Sequence, residues 1–517
     1  MAQTEASSVV VMTPRSRSVM YSIALGSSAV YAGAIAAMAL GFVSRALVAR
    51  ILTPAQLGIL VTAQTVQAMT QAVGQFGLVD AVVRFVGRFA RTEAGKAKGV
   101  VIRSLGIAAT STALLGIALG SLALILVHSF PKDRTLLDVI AVLAFAVPCA
   151  TAGELLGAGF QGLGRFWVKV VFIDWGRALC LIAGALLLLA LGRDSLLGVT
   201  GIYAAGLAIS AGCTITWFLR DKYWKVTPAP VDTRSLLGYG VPLLLSAIVN
   251  WPGSYFLTLL LAGKVSVQAV AYYSLASTVA NLVYMPASAI ETAATPAWAG
   301  RIAEGSLPEL RAEYQFTTRW CLLLGLVLLS VLVLRPTEIV RIIYGPQYTD
   351  AAPILRISAA IVTFNVATGP TEGLLRAFGH TREIFGGRLM GGVASLLCAI
   401  VLVPRLGIYG ALIALAASTV AGVSYFSLAL FRSERIHPFT WPYAKTLAAA
   451  AASMAVVFKV VPSAGNDFLR VLSVAAAFTV VFAMSLFFAG AFTEKDKRMA
   501  LRFRRWLERG EMWPSHI

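Results

Sequence analysis

The sequence predicts an all-α polytopic membrane protein of about 14 transmembrane helices, built as two parallel-repeat six-helix bundles followed by two C-terminal helices. Three observations predict it. The 517 residues are 58% hydrophobic and 13% charged, with a mean hydropathy of +0.79, a composition that excludes a soluble chain of this length. Apolar runs long enough to cross a hydrocarbon core of about 30 Å recur throughout the chain. A row of polar residues along one apolar helix returns about 213 residues later on another.

The runs fall at residues 23–48, 57–79, 101–127, 137–159, 168–191, 196–219 and 236–262, then at 270–291, 316–334, 354–374, 385–403, 408–431, 441–461 and 468–492. The first is too long for the apolar core of a signal peptide and no cleavage motif precedes it, so it is expected to remain as a span. The second carries Gln64, Gln67, Gln71 and Gln75 at steps of three and four, which makes one helical face polar. Lipid penalises such a face, so it must look into a bundle interior or a water-filled cavity. The eighth run repeats the pattern with Ser274, Ser277, Asn281, Tyr284, Ser288 and Glu291. The two rows are expected to line one central cavity, with Asn250 and Tyr255 of the seventh run joining them.

The fourth and tenth runs also correspond. ELLGAGFQGLGRFWVKVVF from Glu154 and EGLLRAFGHTREIFGGRLM from Glu372 each place a glutamate late in the span before a small basic turn, at an offset of about 218. An even number of spans separates the copies, so the repeats are parallel, and substrate sites in such proteins lie between the halves. The thirteenth and fourteenth runs have no counterpart. The expected divisions are a tail at 1–18, bundles at 19–225 and 226–435, two additional spans within 436–492, and a basic tail at 493–517. Pro148, Pro242, Pro252, Pro286 and Pro370 lie within spans and are expected to kink them.

Lys and Arg set the orientation. Of 43, roughly 30 fall on the side of the N-terminus, which makes both termini cytoplasmic by the positive-inside rule. The net charge of +19 is then explained by basic loops against an anionic leaflet, with no need of nucleic acid; the tail from Lys495 to Arg509 reads as a helix lying on that leaflet. Cys149, Cys180, Cys213, Cys321 and Cys398 all fall inside spans without paired spacing, and the four histidines are scattered, so no disulfide, metal site or cofactor is expected.

Asp80, Glu154, Glu291 and Glu372 are acids at depth, expected either to couple or gate transport or to tie down the cytoplasmic end through Arg84, Arg376 or a loop arginine. Asp174 and Arg177, three residues apart, are expected to pair with each other.

The strings SRALVARILTPAQLGILVTAQTV from Ser44, GLVDAVVRF ending at Phe85, AVAYYSLAST from Ala269, IVRIIYGPQYTDAAPILRI from Ile339, and LLRAFGHTREIF through LVPRLGIYGALIALA carry a resemblance. Together they resemble the polysaccharide-repeat-unit (O-antigen/exopolysaccharide, Wzx-like) flippases, the prokaryotic polysaccharide-transport branch of the multidrug/oligosaccharidyl-lipid/polysaccharide (MOP) exporters. The resemblance reaches about Phe431. It implies a MOP/MATE-like fold in the bacterial inner membrane and translocation of an undecaprenyl-diphosphate-linked oligosaccharide to the periplasmic leaflet by alternating access. Implied partners are the lipid-linked oligosaccharide and membrane lipids, with a polysaccharide polymerase and a chain-length regulator as further candidates.

The residues suit such cargo. Neutral amides and hydroxyls supply donors and acceptors for a sugar headgroup, and Arg45 and Lys264, near-equivalent in the repeats, are candidates for the diphosphate, against the alternative that both reach to the outer interface. Competing classes are a cation-coupled multidrug or metabolite antiporter of the same superfamily, a peptidoglycan-precursor lipid flippase, and a membrane enzyme. The last would need a large outer loop with converging catalytic groups, and the longest, residues 335–353, holds no His or Cys.

Overall fold

The computed structural model describes residues 33, 35–129, 134–192, 195–249, 251–460 and 465–491; both expected tails, the start of the first expected span and Asn250 lie outside them. Among the described residues all regular structure is helical. Eleven helices are long and apolar enough to cross a membrane: Ala94–Leu126, Arg134–Gly162, Phe166–Ala190, Leu196–Arg220, Thr233–Gly253, Leu307–Leu334, Pro346–Phe378, Thr381–Leu406, Ile408–Glu434, Trp441–Val460 and Asp467–Phe488. Each coincides with an expected span. The remaining three expected spans are the first, which is only partly described, and the two that carry the polar rows, whose amides and hydroxyls lower their hydropathy. The chain is a multi-pass membrane protein, and its outer faces suit lipid: Phe488, Phe458 and Leu219 are largely exposed.

The described residues divide into two compact units, those within Met1–Ile51 and Val66–Leu244 and those within Leu52–Thr65 and Leu245–Ile517. The helices of the first are α1 (residues 35–51), the later part of α2 (Pro54–Gln75), α3 (Leu78–Phe89), α4 (Ala94–Ser129), α5 (Arg134–Gly162), α6 (Phe166–Ala190), α7 (Leu196–Arg220) and most of α8 (Thr233–Ile248). Its core is apolar surface that α3 turns inward: Leu78, Val82 and Val86 meet Val100 and Val101 of α4 and Leu155, Leu156 and Phe160 of α5. Trp224 closes the cluster edge-on to Phe160.

The second expected span is not one helix. It stops after Gln75, turns through Phe76 (φ 49°) and Gly77 (φ 67°), and restarts as α3. A Cβ on Gly77 would lie 2.2 Å from the Gly240 carbonyl oxygen, so both the left-handed backbone and the close approach of α8 require glycine here. α6 contains a π-helical stretch, Lys169–Trp175, packed where Gly157 of α5 lets Ile173 come close. Asp232 caps α8, accepting from Ser235 Oγ (2.6 Å) and from the Arg234 and Ser235 amides; these bonds, the Ser235 hydroxyl's foremost, hold its carboxyl below the usual carboxylate range.

The second unit holds α9 (Tyr255–Lys264), α10 (Val267–Ala280), α11 (Met285–Ala303), α12 (Leu307–Leu334), α13 (Pro336–Tyr344), α14 (Ala352–Ala367), α15 (Thr371–Phe378), α16 (Thr381–Leu406), α17 (Ile408–Glu434), α18 (Trp441–Val460) and α19 (Asp467–Phe488). Three of the five expected proline kinks are helix breaks. Pro252 sits in the turn before α9, Pro286 follows the 3-10 turn Asn281–Val283 that divides α10 from α11, and Pro370 follows Gly369 (φ 74°) between α14 and α15. Pro148 and Pro242 instead lie inside continuous helices, α5 and α8. The two additional spans pack on α12, where Phe478 and Ala450 meet Leu322 and Leu326, and Arg319 donates to Thr446 Oγ1 (3.3 Å).

Candidate functional site

In the first unit the glutamine row continues into charge. Gln67, Gln71 and Gln75 are all buried, at 4, 9 and 8% exposure, so they cannot be satisfied by bulk water. Gln67 Nε2 donates to Gln71 Oε1 (3.1 Å), and Gln75 Nε2 donates to Glu154 Oε2 (3.2 Å). The other oxygen of Glu154 accepts from Arg177 Nη1 (3.1 Å), and Arg177 Nη2 reaches the Ala150 carbonyl (3.4 Å). Three elements, α2, α5 and α6, thus meet through one carboxylate. Arg45 is exposed on α1.

The expected Asp174–Arg177 pair is therefore replaced by Glu154–Arg177. A spacing of three brings side chains together on a regular α-helix, and the π-helical stretch Lys169–Trp175, which holds Asp174, departs from that geometry. Asp80 is exposed in the first turn of α3, and Arg84 lies over the Tyr239 ring (4.3 Å) rather than on a carboxylate.

In the second unit the row is broken and more open. Gln64, Ser274, Ser277, Ser288 and Tyr255 are half-buried, Asn281 is exposed in the 3-10 turn, and Lys264 is exposed in the last turn of α9. Ser288 Oγ bonds locally to the Met285 carbonyl. The row ends at the buried Glu291, which accepts from Tyr284 Oη (3.0 Å) and Arg376 Nη2 (3.3 Å). Arg376 Nη2 also donates to Glu372 Oε1 (3.0 Å), and Arg388 Nη2 reaches the same oxygen at 2.6 Å. A Cβ on Gly373 would lie 2.6 Å from Glu291 Cγ, so the glycine lets α15 lie against that carboxylate.

Each repeat-related glutamate is thus held by an arginine from the next span, 23 residues on for Glu154 and 16 for Glu372. Sequence spacing alone does not identify Arg177 and Arg388 as these partners. The signal available was the repeat itself: a glutamate duplicated late in a span calls for a cation in the following one.

A family model described as "Polysaccharide biosynthesis protein" matches residues 47–353. Stage V sporulation protein B of Bacillus subtilis (strain 168) is 22% identical over 403 residues, covering 73% of this chain and 77% of that protein. A solved structure of the lipid II flippase MurJ in an inward closed conformation aligns with a TM-score of 0.66 at 13% identity, covering 88% of this chain and 97% of the other. The inward-facing conformation of a multidrug resistance MATE family transporter of the MOP superfamily aligns at 0.62 and 15% identity, covering 76% and 93%. At these identities the structural likeness is one of fold, and the fold is that of the MOP exporters.

Proposed function

The chain belongs to the polysaccharide biosynthesis protein family, and from that premise we propose that it moves undecaprenyl-diphosphate-linked oligosaccharide repeat units from the cytoplasmic to the periplasmic leaflet for surface or exopolysaccharide assembly. It is a transporter of the MOP-exporter fold and not an enzyme. Movement follows alternating access, with both termini on the cytoplasmic side of the inner membrane.

The observation that carries the reading is the buried row Gln67, Gln71, Gln75 on α2, a helix without a charged residue. A carboxamide offers both a donor and an acceptor without net charge, which suits the hydroxyls of a glycan and allows release after transfer. A cationic or apolar drug would be served by acids or aromatics instead. Ser274, Ser277, Asn281, Tyr284 and Ser288 extend the same chemistry in the second unit, while Glu154, Glu291 and Glu372 set the helices that carry the rows.

Deleting the gene tests this. The expected result is inner-leaflet accumulation of lipid-linked oligosaccharide and loss of exported polysaccharide, with drug susceptibility unchanged. A changed drug resistance with normal polysaccharide would replace the reading with the antiporter one.

A further inference from the structure

The repeat-related glutamates differ in what their arginines have left to offer. Glu154 uses both oxygens, one accepting from Arg177 and the other from Gln75, and the Arg177 side chain, 26% exposed, also bonds the Ala150 carbonyl and buries its Nε. At Glu372 a single oxygen, Oε1, accepts from both Arg376 and Arg388. Among the described residues each of these guanidiniums spends only its Nη2 in hydrogen bonds, and their side chains are 53 and 40% exposed. Two planar forks are therefore held with their remaining N–H groups free, their Nη2 atoms 3.0 and 2.6 Å from one shared oxygen.

We propose that Arg376 and Arg388 form a docking site for the diphosphate of a membrane-anchored substrate, with Glu372 as the positioning residue that aligns them. The inference rests on the flippase reading and deepens it by assigning the anionic part of the cargo to residues in the second unit. Two guanidiniums gathered on one oxygen match the several anionic oxygens of a diphosphate, and a single phosphate cannot engage both as fully. Position in the chain agrees: Arg376 lies in the last turn before the tight turn at Gly379 and Arg388 about two turns into the helix that follows, so both stand towards one end of membrane-crossing helices, the end that faces lipid headgroups. Glu291 and Glu372 balance the two arginines, so the empty site carries no uncompensated charge and an arriving anion meets donors already oriented.

The test is binding of geranylgeranyl diphosphate to the purified full-length protein in nanodiscs, compared with inorganic pyrophosphate and with phosphatidylglycerol. Losing one charge-assisted fork should weaken the prenyl diphosphate about tenfold in Arg376→Gln and in Arg388→Gln. Arg388→Lys, which keeps the charge and loses the fork, should fall between. Glu372→Gln should bind more tightly than wild type, because it keeps an acceptor and removes the competing negative charge; a merely structural salt bridge predicts no gain. Wild-type binding by an Arg376→Gln/Arg388→Gln double variant, or weakened binding by Glu372→Gln, overturns the site. Equal affinity for inorganic pyrophosphate or for phosphatidylglycerol overturns the assignment to a lipid-linked diphosphate. Arginine-dependent binding in a protein whose deletion leaves polysaccharide export intact supports the site and overturns the flippase reading instead.

Discussion

Arg177 Nη1 lies 3.1 Å from Glu154 Oε1, and this contact joins α5 to α6 while Gln75 joins α2 to the same carboxylate. Both side chains are about three-quarters shielded, which places the pair between a surface bridge of about 1 kcal/mol and a fully buried one whose rupture costs about 3 to 5 kcal/mol. Arg177→Gln leaves the carboxylate without its cation and should lower the melting temperature of the detergent-solubilised protein clearly. Glu154→Gln/Arg177→Gln should recover much of the loss, since the double change removes both charges. Additive losses would mean that the two side chains act independently.

The turn after Gln75 yields a second prediction. Gly77→Ala must hold a left-handed φ of 67° and press a methyl group on the Gly240 carbonyl; Gly240→Ala meets the Phe76 carbonyl at 2.4 Å. Strain of this kind costs about 1 to 3 kcal/mol before the clash is counted. Each variant should show reduced abundance and a lower melting temperature. Alanine at Gly201, which has open space around it, serves as the control and should be neutral.

These positions also show what was legible beforehand. The membrane-crossing helices announce themselves because hydropathy over about 20 residues is a bulk property. Pro252, Pro286 and Pro370 mark helix breaks because a missing N–H acts locally. The break at Phe76 was not legible: no proline stands there, and a phenylalanine at φ 49° is imposed by the packing of Gly77 on Gly240. The Glu154–Arg177 pair is not legible because a spacing of three points Arg177 to Asp174 on a regular α-helix, and the π stretch, packed against Gly157 of α5, is a tertiary feature. Arg388 carries no local signal of its role, because it bonds a residue 16 positions away across a turn.

Topology is tested by single cysteines. Arg91 and Glu304 are exposed in loops on the side richer in Lys and Arg, and Asp350 is exposed on the other. In intact cells an impermeant thiol reagent should label Asp350→Cys and spare Arg91→Cys and Glu304→Cys. Labelling of Arg91→Cys from outside reverses the orientation and moves the Arg376–Arg388 pair to the opposite leaflet.

The glutamine row is the feature on which the functional reading depends most. Gln67→Leu and Gln71→Leu each break the 3.1 Å amide–amide bond and replace a buried polar group by an apolar one of similar size. Removing both partners together is close to neutral for stability, because no unsatisfied donor or acceptor remains, whereas a single change strands one amide at about 1 to 3 kcal/mol. The double variant should therefore insert and melt like wild type. Transport should not survive so well. Each neutral hydrogen bond to cargo contributes about 0.5 to 1.5 kcal/mol, so losing two amides should slow export several-fold, and adding Gln75→Leu should stop it and release Glu154 from its amide partner. In cells lacking the native protein, the triple variant should accumulate lipid-linked oligosaccharide in the inner leaflet. If it exports polysaccharide at the wild-type rate, the row serves only to pack α2, and the glycan contacts must be sought among Ser274, Ser277, Asn281 and Tyr284.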